Sequence, residues 1–212
     1  KDGSSFWVDY TSTPIENDGA ITGAVVVFTD ISLRHDTEVK LEEMARYDSL
    51  TGLPNRWSFL DSLSQALARK KRQKGSVAVC FIDIDNFKQV NDSLGHGAGD
   101  NLLKRIPGML KPCLREFDCF ARLGGDEFGL ILEDKSSDNE IVDVVERLIK
   151  ELNCPISIDG NEINTSISIG VAVFPSAGKT SEDLVKNADI AMYRAKESGK
   201  NTYSFFKSLL LE

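Results

Sequence analysis

Two glycines followed at once by two carboxylates form the segment of this chain best suited to chemistry. The residues are Gly124-Gly125-Asp126-Glu127, with apolar stretches before and after them. This pattern predicts a β-hairpin with Gly-Gly at its tip and both acids just past the turn. The glycines leave space for a bulky group, such as a nucleotide base or a phosphate, to approach the backbone. Two carboxylates about 4 Å apart repel by about 4 kcal/mol at an effective dielectric of about 20, unless a cation intervenes; otherwise the segment is a solvated turn.

A second acidic segment lies upstream, at the end of an apolar strand. Residues Val77–Asp83 are typical of a β-strand, and Ile84 and Asp85 follow directly. A carboxylate at the end of a strand can bind a divalent cation at the rim of a sheet, although it can also simply cap a turn. Asp83 and Asp126 together predict a two-carboxylate site for Mg²⁺ (or Mn²⁺), of the kind that receives nucleoside triphosphates.

Five motifs occur in the order found in the GGDEF family of diguanylate cyclases, which this sequence resembles from about Tyr47 to Phe206. They are Asp48–Arg56 (DSLTGLPNR), Phe81–Lys88 (FIDIDNFK), Asn91–Asp100, Arg122–Phe128 (RLGGDEF) and Ala188–Lys196 (ADIAMYRAK) with Gly199–Asn201. The resemblance implies an enzyme that condenses two GTP into cyclic di-GMP and releases pyrophosphate. It also implies an α/β (α+β) fold with a palm-like mixed central sheet and flanking helices.

By this resemblance, the metal ligands are the carboxylates of Asp83 and Asp126 and the backbone carbonyl of Ile84. Asp126 is the expected catalytic acid, and Glu127 is the second candidate for taking the proton of the attacking hydroxyl. The family often has Glu where Asp126 stands, and both side chains supply hard oxygen ligands. Lys88 is expected to place an ammonium near the phosphates; a solvated lysine is the alternative.

The resemblance also assigns residues that bind the guanine base. Asn91 and Asp100 match the family's base readers. A carboxylate can accept from guanine N1–H and its amino group, while an amide can donate to O6. Asn91 could instead cap a helix or turn. His96 lies near this pocket in the motif, where a positional role is expected rather than proton transfer, and a simple turn histidine is equally compatible.

The phosphates are expected to contact the end of the last helix. Lys196 and Lys200 match the family's phosphate-binding positions, and Gly124 and Gly125 would let the substrate approach the hairpin backbone. The family often has Arg at position 200, so Lys200 keeps the charge but lacks bidentate geometry.

Arg115 and Asp118 form an Arg-x-x-Asp pattern shortly before the glycine pair. On its own, such a pattern most often reflects a surface ion pair. At this offset it matches the family's product-inhibition site, in which the arginine binds a phosphate of cyclic di-GMP and the aspartate reads guanine.

Composition limits the partners and the compartment. The chain has 212 residues, a formal net charge of −8 and four cysteines without a CxxC pair. The acidic balance argues against a nucleic-acid partner. The cysteines indicate reduced thiols, and no apolar run reaches the length of a membrane span, so a cytoplasmic location is expected. A membrane anchor further upstream in a longer protein is not excluded.

Four segments are expected along the chain. Residues 1–32 resemble the last strands of a PAS sensor domain and should form a β-hairpin that turns at Asn17-Asp18-Gly19. Residues 33–47 should form a linker or signalling helix, 48–207 the GGDEF domain, and 208–212 a tail or cloning remnant. Within 48–207, helices are predicted over 56–71 with Asn55 as the N-cap, over 98–110 and 138–152, and after Ser181, which is expected to cap the last helix. Strands are predicted over 76–83, 156–158, 163–174 and 203–206, beside the hairpin at the glycine pair.

Three functional hypotheses remain at this point. The first is an active, product-inhibited cyclase that works as a homodimer, because each protomer would hold only one GTP. The second is a catalytically silent GTP-binding module that regulates a downstream EAL phosphodiesterase domain. The third, an enzyme similar to adenylate cyclases, is disfavoured by Asn91 and Asp100.

Overall fold

The computed structural model describes residues 6–73, 75–134 and 137–207. The tail predicted at 208–212 and the first five residues of the expected sensor fragment lie outside this description. Judged by internal packing, the described residues up to Ala45 form one unit and those from Arg46 onward form a second. None of the helices in the described ranges has the length and apolar content that crossing a bilayer requires.

The first unit contains the predicted hairpin and helix. Strands β1 (Val8–Asn17) and β2 (Ala20–Asp30) pair antiparallel. They are joined by Asp18 and Gly19, which both have positive φ, as a two-residue hairpin turn requires. Helix α1 (Ser32–Arg46) follows, and the Asp30 carboxylate accepts the Ser32 amide at 2.9 Å.

The second unit consists of seven strands and five α-helices within the described residues. Its strands are β3 (Val77–Ile84), β4 (Cys119–Gly124), β5 (Glu127–Glu133), β6 (Ile156–Ile158), β7 (Asn161–Ile163), β8 (Ile167–Phe174) and β9 (Tyr203–Phe205). Its helices are α2 (Arg56–Gln73), α3 (Phe87–Leu94), α4 (His96–Leu110), α5 (Asp138–Leu152) and α6 (Ser181–Glu197), with a 3-10 turn at Lys111–Cys113.

Five of these strands form the mixed central sheet, in the order β4-β5-β3-β8-β9. Strand β3 lies in the middle and runs antiparallel to both β5 and β8, whereas β9 pairs parallel to β8 at the edge. Every residue of β3 is buried. The predicted mixed sheet with helices packed on it is confirmed.

Side chains of β3 point alternately to the two faces of the sheet, and the core accordingly has two layers. Ala78, Cys80 and Ile82 pack in the layer with α4 and α5, while Val79 and Phe81 pack in the layer with α2 and α6. Asp83 follows Val79 and Phe81 in this alternation, so its side chain projects toward the α2 and α6 face. The core thus directs Asp83 toward the face of the sheet where α6 carries Lys196.

Helix α6 lies directly on the backbone of β8. A Cβ atom at Gly170 would stand 2.0 Å from the Ala188 carbonyl oxygen and 2.1 Å from the Met192 amide nitrogen. No side chain therefore fits at position 170 between this strand and this helix. The close contact fixes where the end of α6 lies relative to β3.

Two local predictions were wrong, and one helix was missed. Helix α3 was not predicted; it has only eight residues and buries no side chain. The strand expected over 163–174 is interrupted at 164–166: β7 pairs only with β6, and β8 begins at Ile167. The cap of α6 is Thr180 rather than Ser181, because the Thr180 hydroxyl accepts the Asp183 amide at 3.1 Å.

Other elements agree with their patterns. Asn55 caps α2 by accepting the Ser58 amide at 3.0 Å, as predicted. Helix α5 has the predicted bounds, and β9 differs from its predicted bounds by a single residue.

Candidate functional site

The end of β3 and the turn between β4 and β5 lie side by side. In the β3–β5 pairing Asp83 stands directly opposite Glu127, so the two side chains share one face of the sheet. One residue further, the Ile84 amide donates to the Asp126 carbonyl at 3.3 Å. Acids from two distant segments therefore meet at one end of the central strands.

Asp83 is buried in surroundings that disfavour its charge. Burial raises the pKa of Asp83 to about 6; the hydrogen bond from Lys196 opposes this shift, and the negative charges of Asp126 and Glu127 add to it. The Lys196 ammonium lies 2.8 Å from one Asp83 oxygen. One lysine thus compensates only part of the charge, and a further cation beside these acids would favour ionisation.

Glu127 lies at the mouth of a neighbouring cavity. Burial raises its pKa, and the charges of Asp189 and Asp126 act in the same direction. The cavity has a volume of about 500 Å³ and lies between α2 and α6, where Arg56 and Lys186 also line it. A carboxylate with a raised pKa in an accessible cavity is a stronger proton acceptor than an ordinary exposed carboxylate.

The oxygen donors at this end of the sheet fit a divalent cation. The described residues hold no group of three or more His, Cys, Asp or Glu side chains arranged around an ion. Mg²⁺, however, typically uses only one or two protein carboxylates and completes its shell with water and substrate phosphates. The carboxylates of Asp83 and Asp126 and the carbonyl of Ile84 are such donors, and the partly compensated charge of Asp83 favours a cation there.

The hairpin turn is shifted by one residue from the prediction. Gly124 ends β4, Gly125 and Asp126 form the turn, and Glu127 begins β5, so Asp126 lies in the tip itself. The cause is a bulge between Arg122 and Gly124, where Gly124 has a φ of 145° that only glycine adopts readily. A Cβ at either glycine would meet no atom within 4 Å, so the backbone is open to an approaching group.

An arginine that sequence reasoning passed over fixes this turn. Arg122 donates through Nε and Nη2 to the Gly125 carbonyl at 3.1 and 2.7 Å. Its Nη1 lies 3.0 and 3.1 Å from the two Asp48 oxygens. Asp48 also accepts the Thr51 amide at 2.8 Å. Both residues lie in recognised motifs, but only the fold shows that they contact each other.

Asp85 is a second residue without a role assigned from the sequence. It is buried and accepts three hydrogen bonds: from the Ser166 hydroxyl at 2.6 Å, the Ser168 hydroxyl at 2.7 Å and the Asn201 amide at 3.0 Å. Asp85 therefore ties the end of β3 to the start of β8 and to the segment after α6. The signal in the sequence was an acid next to an apolar strand, which does not distinguish a ligand from an anchor.

Lys200 is held next to that anchor. Its ammonium donates to the Asn86 side-chain oxygen at 2.6 Å, directly after β3. Lys200 and Asn201 both have positive φ, so the chain turns sharply after α6. The structure thus brings Lys196 and Lys200 to the same end of β3 as the acids.

The predicted base readers lie where α3 meets α4. The Asn91 side chain lies against Gly99, the residue before Asp100, and the Asn91 Oδ1 atom is buried without a hydrogen-bond partner. A buried unpartnered acceptor costs about 1–3 kcal/mol, so the local structure holds this side chain against a penalty. Asp100 is exposed on α4.

Lys88 and His96 are less closely tied to the site. Both are exposed, Lys88 near the start of α3 and His96 as the first residue of α4. Within the described ranges, no hydrogen bond or ion pair joins either side chain to the acids or to Asn91. They flank the site and remain open to a ligand.

Arg115 and Asp118 line one cavity but do not form an ion pair. The cavity has a volume of about 310 Å³ and also contacts Pro54 and Lys111. Asp118 accepts the Arg115 backbone amide at 2.8 Å through one oxygen, while its other oxygen is buried without a partner. The surface ion pair considered from the sequence is therefore not formed between these two side chains. The Arg115 guanidinium instead lies 5.9 Å from the Phe117 ring centroid.

Comparison with known proteins points to one family. The family model described as diguanylate cyclase, GGDEF domain, matches residues 45–202. The cyclic di-GMP phosphodiesterase NbdA of Pseudomonas aeruginosa is 42% identical over 171 residues, which cover 81% of this chain and 22% of NbdA. The diguanylate cyclase TpbB of the same species is 40% identical over 168 residues, which cover 79% of this chain and 39% of TpbB. The chain thus spans well under half the length of these relatives.

A solved structure supports the same relationship. The structure comprising only the GGDEF domain of TpbB from Pseudomonas aeruginosa aligns with a TM-score of 0.74 at 40% identity. The alignment covers 76% of this chain and 94% of that one.

Proposed function

Because this chain belongs to the GGDEF family of diguanylate cyclase domains, we propose that it condenses two GTP into cyclic di-GMP and pyrophosphate. The observation that carries the proposal is the meeting of Asp83 with Asp126 and Glu127 beside an open glycine turn. The proposed domain occupies 48–207, after a sensor-derived hairpin (1–32) and a signalling helix (33–47). A cytoplasmic setting is part of the proposal.

The reaction requires a 3′-hydroxyl to lose its proton and attack the α-phosphate of another GTP, while pyrophosphate leaves. Glu127 and Asp126 are the groups that accept this proton, and the raised pKa of Glu127 suits it to do so. Mg²⁺ (or Mn²⁺), held by Asp83, Asp126 and the Ile84 carbonyl, would supply Lewis-acid stabilisation of the developing charge.

The lysines stabilise the phosphates electrostatically. Lys200 is already oriented by Asn86, whereas Lys196 is paired with Asp83. A cation at Asp83 would compensate the charge of this carboxylate and would leave the Lys196 ammonium able to contact phosphate oxygens. Lys88 adds a third positive charge from the start of α3.

Base recognition is assigned to Asn91 and Asp100, with His96 close by on α4. An amide that donates to O6 and a carboxylate that accepts from N1–H and the amino group together select guanine over adenine. Each protomer supplies one such pocket, so the bond-forming complex is a homodimer that brings two GTP molecules face to face.

The decisive experiment incubates the purified 212-residue chain with Mg²⁺ and GTP and separates the nucleotides by chromatography. Formation of cyclic di-GMP and pyrophosphate is the expected result. GTP that binds but stays intact would instead support a silent regulatory module, which the similarity to a phosphodiesterase makes the second candidate. In that case a downstream EAL domain would be the regulated partner.

Arg115 and Asp118 are proposed to bind the product as an inhibitor. The cavity they share and the unpartnered Asp118 oxygen support this role. We expect Arg115→Ala to raise the cyclic di-GMP concentration needed for half-inhibition by at least about tenfold, because a charge-assisted phosphate contact is lost.

Progress curves with added cyclic di-GMP measure this effect. Initial turnover should stay within about twofold, since Arg115 lies away from the acids. Arg105→Ala, an exposed arginine on α4, is the matched control and should behave as wild type. If cyclic di-GMP inhibited Arg115→Ala as strongly as wild type, the proposed product-inhibition site would be wrong.

A further inference from the structure

Gly99 lies in helix α4 at a position that does not need glycine for backbone reasons. Its φ is outside the left-handed region, and it is the fourth residue of the helix. Glycine inside a helix is unfavourable relative to alanine, so a different requirement must account for it.

That requirement is the side chain of Asn91. A Cβ at Gly99 would lie 1.9 Å from Asn91 Oδ1, 3.0 Å from its Cγ and 3.1 Å from Phe87 Cζ. The space that a methyl group would fill is occupied by the amide oxygen.

The other glycines of α4 show that the approach is local. A Cβ at Gly97 or at Gly108 would meet no atom within 4 Å. Among these three glycines, only Gly99 has a side chain of α3 in the space that its Cβ would occupy. Here the Gly95 amide, between the two helices, also donates to the Asn91 carbonyl at 2.8 Å and fixes the backbone of Asn91.

We propose that Gly99 is a positioning residue for base recognition: it admits the Asn91 amide oxygen to a buried niche, which leaves the amide nitrogen as the donor that reads guanine O6. This inference rests on the proposed function, because it names the geometry by which the same site selects its substrate.

The chemistry follows from the two ends of the amide. The Asn91 Oδ1 is buried and unpartnered, so it offers nothing to a ligand in its present position. The nitrogen at the other end can donate to O6 of guanine but meets another donor, the 6-amino group, in adenine. A methyl group at position 99 would displace the flexible end of Asn91 and lose this orientation, while the backbone stays in place.

The test measures equilibrium binding to the complete 212-residue chain with Mg²⁺. The probes are 3′-deoxy-GTP and 3′-deoxy-ATP, which lack the attacking hydroxyl and are therefore not converted. The proteins are the wild type, Gly99→Ala, Asn91→Ala, the double variant and Gly108→Ala.

We expect Gly99→Ala to bind 3′-deoxy-GTP about tenfold more weakly, because one hydrogen bond of good geometry is lost. Binding of 3′-deoxy-ATP should not weaken, so selectivity for guanine falls. In the Asn91→Ala background, Gly99→Ala should cause no further loss, because the two changes remove the same interaction. Gly108→Ala should bind as wild type.

Thermal unfolding separates this role from plain packing. Gly99→Ala should unfold at a temperature no lower than wild type, because alanine favours the helix and only the end of Asn91 has to move far, while the Phe87 ring shifts by a few tenths of an ångström. The inference is overturned if Gly99→Ala binds 3′-deoxy-GTP normally, if it weakens both nucleotides equally, or if its loss adds to that of Asn91→Ala. A wild-type chain that binds no 3′-deoxy-GTP would overturn the proposed function itself, and this inference with it.

Discussion

Asp83 combines burial with an excess of nearby negative charge, and this combination is what the proposed chemistry uses. The side chain is held by β3, faces Glu127 across the strand pair and has Lys196 as its ion-pair partner. Such a carboxylate is costly without positive charge and becomes favourable when a cation is present. The same arrangement that raises its pKa therefore supports the proposed metal site.

Replacing Asp83 by asparagine should separate catalysis from stability. We expect Asp83→Asn to lower cyclic di-GMP formation by at least about 100-fold, because several kcal/mol of charge stabilisation depends on that oxygen ligand. The free energy of unfolding should not fall, since the change removes a buried charge. Turnover assays and urea denaturation measure the two effects. Asp92→Asn, an exposed acid on α3, is the control, and equal activity of Asp83→Asn and wild type would contradict the assignment.

At the scale of the elements, Asp85 joins three parts of the site. Its carboxylate accepts from two serines at the start of β8 and from the Asn201 amide after α6. The Asn201 contact fixes the turn that carries Lys200. The buried Asp85 carboxylate, with its three donors, thus fixes where Lys200 lies relative to the sheet.

Asp85→Asn should weaken both stability and phosphate binding. An amide group cannot accept from all three donors, and the Asn201 amide cannot rotate to adapt. We expect the free energy of unfolding to fall by about 2 kcal/mol, as for a hydrogen bond to a charged group. The KM for GTP should rise more than kcat falls. Ser166→Ala, which removes one donor only, should show a smaller change. If Asp85→Asn had the same KM for GTP as wild type, Asp85 would not position Lys200 for phosphate binding.

The contact between Asp48 and Arg122 should make stability depend on pH. Burial acts to raise the pKa of Asp48, but hydrogen bonds from Thr51 and Arg122 together hold it below its usual value. Because the folded pKa is the lower one, the stabilisation is complete above the unfolded value of about 3.9 and is lost as pH falls further. We expect the stability difference between wild type and Asp48→Asn to be constant above about pH 5 and to shrink below about pH 4. Denaturation series across this range measure it; a difference that does not change with pH would contradict the role of the ion pair.

The sequence patterns predicted individual strands and helices better than they predicted the contacts between those strands and helices. Long apolar strands such as β3 and amphipathic helices such as α5 have periodicities that decide their type, so their bounds were close. Helix α3 is short and buries no side chain, and at the break before β8 Ser166 bonds to Asp85, which is distant from it in the sequence. Asp83 and Asp126 were predicted from their motifs, whereas the ion pair of Arg122 with Asp48 depends on three-dimensional proximity.

At the scale of the whole molecule, the chain consists of two units, of which one carries all the candidate site residues. That unit carries one pair of proposed base readers, Asn91 and Asp100, and one set of acids. Because the proposed reaction joins two GTP molecules, the proposal requires a second copy of this unit.

Turnover should therefore depend on protein concentration. We expect cyclic di-GMP formed per protomer to rise with concentration from the nanomolar to the micromolar range and then reach a plateau, as dimers become populated. Initial rates and sedimentation of the same samples measure both quantities together. Turnover by samples that sediment as monomers would contradict the dimer requirement.

Gly170 has an effect far from its own position. Since it carries only a hydrogen atom, α6 approaches the sheet more closely than any layer of side chains would allow. The helix extends from there toward Asp83, and Lys196 near its end spans the remaining gap. The missing side chain of Gly170 thus determines how close Lys196 comes to Asp83. A larger residue at position 170 would move α6, and Lys196 with it, away from the acids.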